Sequence, residues 1–117
     1  MATGSQIPFN PQGNTVVVAA AVAPPLGVQA PVNQRFSAQE TGQVRVVNSS
    51  TNLVHIGVGP TAAAAQANAV AATAGNPASG IPLVAGAVEV LRSPAGSFFS
   101  GAASGATTVY LTPGEGL

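Results

Sequence analysis

The chain has 117 residues, a formal net charge of zero and no Cys, and only 5% of its residues are charged. Soluble domains average about 25% charged residues, so the scarcity of charge is the first feature to explain. Without Cys there is neither a disulfide nor a thiolate metal site, and three scattered Arg do not form the basic patch that nucleic acid requires. We therefore expect no nucleic-acid partner, no metal and no cofactor.

The composition contains features typical of a disordered chain and features typical of a folded domain. The 14 Gly and 10 Pro favour disorder, whereas short alternating runs of Val, Ile, Leu and Phe favour a folded domain with many turns. The longest apolar run, 16–23, is too short to span a bilayer, and no Lys or Arg precedes it as a secretory signal requires. We expect a folded protein without a signal peptide and without a membrane partner.

The first half of the chain predicts an arm followed by strands. Residues 1–14 carry two Pro and two Gly, and we interpret them as an extended N-terminal arm anchored by Ile7 and Phe9. The apolar run that follows predicts a strand over 15–22, and an extended piece follows around 26–32. Two further alternating runs flank a turn-rich segment, which predicts a β-hairpin with strands at 43–47 and 53–58.

The second half begins with an Ala-rich segment, 61–79, for which a short helix and an irregular loop are both open. Thr61 is a possible N-cap and Gly75 a possible C-terminal cap, but Val70 is the only apolar side chain larger than Ala. Strands are then predicted at 87–91, 97–102 and 107–112. The last two are joined through 103–106, where Gly105 is the residue able to adopt positive φ.

Many short strands without long crossovers predict an all-β fold, an antiparallel β-sandwich or jelly roll formed by residues 15–117 as one domain. Alternation along the strands assigns one group of side chains to the core and Arg45, His55, Glu89 and Tyr110 to the opposite face. The expected core residues are Val44, Val46, Val54, Ile56, Val58, Val88, Val90, Val109 and Leu111.

Catalysis has little support in the residues. A hydrolase would combine His55, a Ser and either Glu40 or Glu89, but no spacing in the chain indicates that they meet, so we expect no enzyme. The Gly-rich segment 57–59 lacks the Lys of a phosphate-binding loop and is interpreted as a turn. Asn48-Ser49-Ser50 has the form of a glycosylation acceptor only.

Four segments carry a resemblance to a known family. They are 7–10 (IPFN) with 13–15 (GNT), 44–48 (VRVVN), 80–83 (GIPL) with 86–89 (GAVE), and 109–116 (VYLTPGEG). The pattern resembles the small virion proteins of tailed bacteriophages, above all head cement (decoration) proteins. The resemblance implies a β-sandwich subunit on the outer capsid surface that bridges major capsid subunits and resists the pressure of packaged DNA.

The resemblance also implies partners and a location. The partners are the major capsid protein and further copies of the chain, with a trimer ahead of a dimer, and the location is the virion after synthesis in the host cytoplasm. A neck or tail component is the alternative, and a glycan-binding β-sandwich module is a third class, poorly supported by a chain with no Trp and one Tyr. The candidate interface residues are Ile7, Phe9, Arg35, Phe36, Arg45, Arg92, Phe98, Phe99 and Tyr110.

Overall fold

The structure, a computed structural model, describes residues 10–11, 13–30, 42–93 and 96–115. In these ranges the chain is mostly β with one short helix, so the predicted all-β class is confirmed. The elements are β1 (Asn10–Pro11), β2 (Val16–Ala21), β3 (Val28–Gln29), β4 (Gly42–Val47), β5 (Val54–Gly59), α1 (Ala62–Asn68), β6 (Ile81–Leu83), β7 (Val88–Ser93), β8 (Phe98–Ala103) and β9 (Thr107–Glu115).

All nine strands belong to one sheet. Its main path runs β6-β5-β8-β2-β9-β4-β7, with β1 added beside β9 and β3 beside β8. The two ends of the path, β6 and β7, follow each other in the chain and are linked by residues 84–87, so the sheet curls until it nearly closes. The ladder between β2 and β8 is parallel, which corrects the expectation of antiparallel pairing throughout. The jelly-roll connectivity remains a prediction.

The core lies inside the curled sheet and is built from small and medium apolar side chains. Alternation places every second residue of a strand inward, and six of the nine expected core residues are buried as predicted, with Val58 packed partly buried against them. Phe99 is the largest side chain of this core. The buried apolar cluster comprises Val18, Ala20, Val44, Val46, Val54, Ile56, Leu83, Phe99, Val109 and Leu111.

The predicted face of β7 is wrong. Val88 lies opposite Val47 and Val90 lies opposite Arg45, and directly paired residues share a face of the sheet. Both Val side chains therefore face outward, and Val88 is 47% exposed. Leu91, which pairs with the buried Val44, packs against the core instead. In the segment VEVL either parity places an apolar residue inward, so alternation alone could not decide between them.

The predicted hairpin between β4 and β5 is also wrong. β4 pairs with β7 and β9, whereas β5 pairs with β6 and β8, so the segment 48–53 crosses from one end of the sheet path to the other. Asn48 directs this crossing because its side chain turns inward and is fully buried. Its Nδ2 donates to the carbonyl oxygens of Asn52 (2.8 Å), Leu83 (3.0 Å) and Val84 (3.1 Å), and its Oδ1 accepts from the Ser50 hydroxyl (2.6 Å).

The backbone of Asn48 also bonds to the segment that links β6 to β7. Its N–H donates to the carbonyl of Ala87 at 2.9 Å, and its carbonyl accepts from the N–H of Gly86 at 2.8 Å. Gly86 adopts a φ of 79° in the turn between β6 and β7. Asn48 thus stabilises the seam, by which we mean the place between β6 and β7 where the sheet nearly closes. Because its side chain is 0% exposed and all its polar atoms are hydrogen-bonded, Asn48 is not a glycosylation acceptor in the folded chain.

The two last strands follow each other in the chain but do not pair with each other. β8 and β9 both pair with β2, which lies between them in the sheet. The connection 104–106 therefore spans the width of β2, and Gly105 is not among the glycines with positive φ. At the other end of the chain, Asn10 and Pro11 pair with Glu115 and Gly114, so this part of the predicted arm belongs to the sheet.

The Ala-rich segment contains a helix of seven residues, so the short helix and not the irregular loop is present. α1 begins after Thr61, whose hydroxyl accepts from the N–H of Ala64 at 3.1 Å, as the N-cap prediction requires. The helix ends at Asn68 and its C-cap is Ala69, so Gly75 is not its cap. Gly75 instead adopts a φ of 78° in a tight turn closed by two backbone hydrogen bonds between Thr73 and Asn76.

Candidate functional site

The outer surface of the sheet has two sides that differ in what covers them. Over β5 and β8, α1 and the segment 24–27 form a second layer. Over β2, β9, β4 and β7, no described residue forms such a layer. We call the outward-facing side chains of these four strands the bare face.

The second layer lies close to the sheet because two glycines leave room for it. A Cβ on Gly57 would overlap backbone atoms of Ala65 and Ala69, and a Cβ on Gly59 would lie 2.7 Å from the Cβ of Ala64. An Ala-rich helix on a glycine-bearing strand therefore packs with almost no side chain between the two backbones. The interpretation of 57–59 as a turn is corrected, since these residues belong to β5.

Polar side chains fix this layer in place. The Asn68 amide donates to the carbonyl of Val58 at 2.7 Å, and the Gln66 amide donates to the carbonyl of Pro24 at 2.8 Å. The Ser100 hydroxyl donates to the carbonyl of Pro25 at 2.6 Å. Ala65 and Ala69 are buried, so the strands on this side of the sheet are covered by the chain itself.

The bare face carries a row of apolar side chains. Direct pairing aligns Val17 with Tyr110, Tyr110 with Val47, and Val47 with Val88, so the row crosses four neighbouring strands. Val17 is 49% exposed, Tyr110 38% and Val88 47%. Solitary exposed apolar residues are ordinary, whereas a contiguous row of them marks a surface suited to docking. We call these four residues the apolar row.

Two cationic side chains lie on one side of the apolar row, Arg45 in the next row and Arg92 in the row after it. Arg45 lies between Thr112 and Val90 in the next row of the bare face, and Arg92 lies opposite Gln43 at the edge. Both are exposed, and neither forms an ion pair within the described part of the chain. Glu89 pairs with the inward-facing Val46 and therefore points away from the bare face. The bare face thus has positive charge without a described carboxylate to balance it.

The structure distributes the candidate interface residues unevenly. It brings Arg45, Arg92 and Tyr110 together on the bare face. Phe99 is fully buried in the core, so its assignment to an interface is wrong, because its alternation with Phe98 places it inward. Phe98 is half-buried beside Gly27 and α1. Ile7, Phe9, Arg35 and Phe36 lie outside the described residues.

Sequence reasoning missed three members of the apolar row, Val17, Val47 and Val88. The register between strands that are distant in the chain aligns them, and no local pattern carries that register. A signal was nevertheless present, because Val16-Val17-Val18 and Val46-Val47 are apolar on both faces of a strand. Such runs indicate a strand with a partner or a covering layer on each side.

Of the residues considered for catalysis, His55 and Glu89 lie on different strands, and Glu40 lies outside the described residues. His55 lies on β5 with its neighbour Gly80, whereas Glu89 lies on β7. Within the described ranges there is no group of three or more His, Cys, Asp or Glu side chains that could hold a metal ion. None of the described helices is long and apolar enough to cross a membrane.

No family model, curated protein or solved structure matches this chain. The candidate site therefore rests on its own geometry.

Proposed function

We propose that the protein is a structural component of a virus particle, a cement protein that binds the outer surface of a phage head and stabilises the shell against packaged DNA. The single observation that carries the proposal is the apolar row on the bare face. It offers a docking surface on one side of the molecule, while the second layer closes the other side.

The charge composition supports a subunit that works inside an assembly. With three Arg and three Glu in 117 residues, the protein gains little solubility from its surface, and zero net charge favours association. Such a surface suits a protein covered by neighbours. Exposed ion pairs contribute only about 0–1 kcal/mol each, so apolar and hydrogen-bond contacts provide most of the attachment.

Shell stabilisation follows from binding alone. A protein that binds the assembled shell and not its separated subunits shifts the equilibrium toward the shell by mass action. Each contact can be weak, because many copies on one particle act together. The partner in this proposal is the major capsid protein, and self-association, with a trimer ahead of a dimer, belongs to it as well.

The test uses particles of the phage that encodes the chain. The protein is removed from DNA-filled heads and added back, and the temperature of DNA release is measured. We expect the wild type to raise that temperature and Tyr110→Ser to raise it much less. Leu26→Ser is the matched control, because Leu26 is 61% exposed but lies outside the bare face, and it should behave as the wild type.

Copy number separates the cement role from the alternative. Hundreds of copies per particle, quantified against the major capsid protein, indicate the shell, whereas about six or twelve indicate a ring at the neck or tail. A wild type that leaves the release temperature unchanged removes the cement proposal.

A further inference from the structure

We infer that the bare face binds a protein surface that supplies carboxylates to Arg45 and Arg92, and that it is not a face-to-face contact between two copies of this chain. The inference deepens the proposed function and rests on it for one point, that the surface belongs to the capsid shell.

The two arginines are placed to act together. Val90 lies directly opposite Arg45, and Arg92 follows Val90 by two residues on the same face of the same strand. This diagonal relation separates the two Cα atoms by about 7–8 Å. Both side chains are exposed on the same side of the apolar row, Arg45 in the next row and Arg92 in the row after it. A partner that covers the row and these two rows therefore reaches both guanidinium groups.

Covering the face requires anions from the partner. Removing water from a cation without giving it an opposite charge is costly, so a docked surface has to compensate both groups. The bare face has no described carboxylate of its own, because Glu89 belongs to the opposite side of the sheet. Arg also binds carboxylates through two parallel hydrogen bonds, which fixes the orientation of the partner.

The same balance argues against a second copy on this face. Two bare faces brought together would bury four guanidinium groups and no described carboxylate. An interface of that kind leaves its charges unpaired, so two bare faces do not complement each other. Any self-association of this chain then does not pack one bare face on another.

Nucleic acid and anionic lipid fit the face less well than a protein does. Two cations neutralise few phosphates, and phosphate binding draws its strength from many. The apolar row needs an apolar counterpart beside the two anionic positions. A protein surface can present a hydrophobic patch edged by Asp or Glu side chains, and this is the partner chemistry that the bare face matches.

The size of the face sets the expected strength of one contact. Four strands about 4.8 Å apart give a face of roughly 20 by 20 Å including side chains, about half of the ~800 Å² that each partner contributes to a standard interface. One copy should bind weakly, and attachment to a shell should depend on many copies.

The experiment measures binding of charge variants to heads stripped of the protein. We expect Arg45→Glu and Arg92→Glu each to weaken binding at least tenfold and Arg45→Lys to weaken it less, because Lys keeps the charge but loses the paired hydrogen bonds. The matched control is the double variant Thr73→Glu with Ser79→Glu, which changes the net charge by the same amount on an exposed loop away from the face. Far-UV dichroism confirms that each variant is folded.

Each result decides the matter. If the wild type binds and the Arg→Glu variants bind as well as the control variant does, the inference is wrong and the proposed function stands. If the wild type does not bind to stripped heads, both are wrong. Sedimentation without heads tests the second copy: a wild-type oligomer that Arg45→Glu or Tyr110→Ser dissociates would overturn the inference. The inference would also be overturned if the wild type bound naked phage DNA or phosphatidylglycerol vesicles and Arg45→Glu abolished that binding.

Discussion

The two outer sides of the sheet show how one strand layer can serve two purposes. Over β5 and β8 several outward residues are small, including Gly57, Gly59 and Ser100, and an Ala-rich helix lies close to the two glycines. On the bare face the outward residues include Val17, Tyr110 and Val88, and no described segment lies against them. Glycine at the contact lets the chain supply its own covering layer, whereas larger outward side chains leave an exposed apolar surface.

The largest expected effect separates the inside of the sheet from the bare face. Val109→Asp places an unpaired charge at a fully buried position, which costs several kcal/mol, about 4 or more, and should abolish folding. Thr108→Asp changes the adjacent residue, whose side chain is exposed on the bare face, and should be mild. Far-UV dichroism and thermal melting of both variants check this. Equal loss of folding in the two variants would contradict the assigned register.

The next effect concerns the covered side. Gly57→Ala introduces a Cβ that overlaps the backbone of α1, so the helix has to move, and we expect a loss of about 2–3 kcal/mol. Ala19→Ser, at an exposed position of the bare face, is the control and should change stability by about 0.5 kcal/mol or less. Urea unfolding of both variants measures the difference. A neutral Gly57→Ala would show that the helix does not pack closely on β5.

The seam between β6 and β7 should be nearly as sensitive. Asn48→Ala removes the donors to Leu83 and Val84 and the acceptor for Ser50, leaving buried polar groups unpaired, at about 2 kcal/mol. Asn76→Ala loses only a 3.4 Å hydrogen bond at an exposed turn and should be close to neutral. The comparison uses the midpoint of urea unfolding, and similar midpoints for the two variants would refute the role given to Asn48.

The smallest effect on stability is expected within the apolar row. Tyr110→Ser removes a half-exposed ring from cross-strand neighbours and should cost about 1 kcal/mol or less. Its effect on binding to stripped heads should be much larger than its effect on melting. A variant that loses stability and binding in equal measure would indicate a structural residue rather than a docking residue.

What the sequence reveals depends on how local each feature is. The strands at 16–21, 42–47, 54–59 and 107–115 are predictable because alternation and bounding turns are properties of neighbouring residues. The pairing of β4 with β9, and not with β5, depends on the buried side chain of Asn48, which a turn-forming composition does not distinguish from an ordinary hairpin loop.

The candidate site is only partly accessible from the sequence for the same reason. Alternation alone identifies Arg45 and Tyr110 as outward residues. The same alternation assigns Val88 to the core. The reason is that Glu89 is charged and is therefore expected to face solvent, which places its neighbours Val88 and Val90 inward. At the edge of the sheet an inward parity does not exclude exposure, and Glu89 is indeed exposed.

The position of β9 has a consequence for the order of folding. β9 follows every other described element in the chain, yet it pairs with β1, β2 and β4, which are among the first. During synthesis, about 60 residues or more are added after β2 and β4 before β9, the strand that pairs with both, is made. A topology with such distant contacts folds slowly, and its early strands stay available for wrong partners meanwhile. Emergence of β9, more than any local element, should therefore time the appearance of the native sheet.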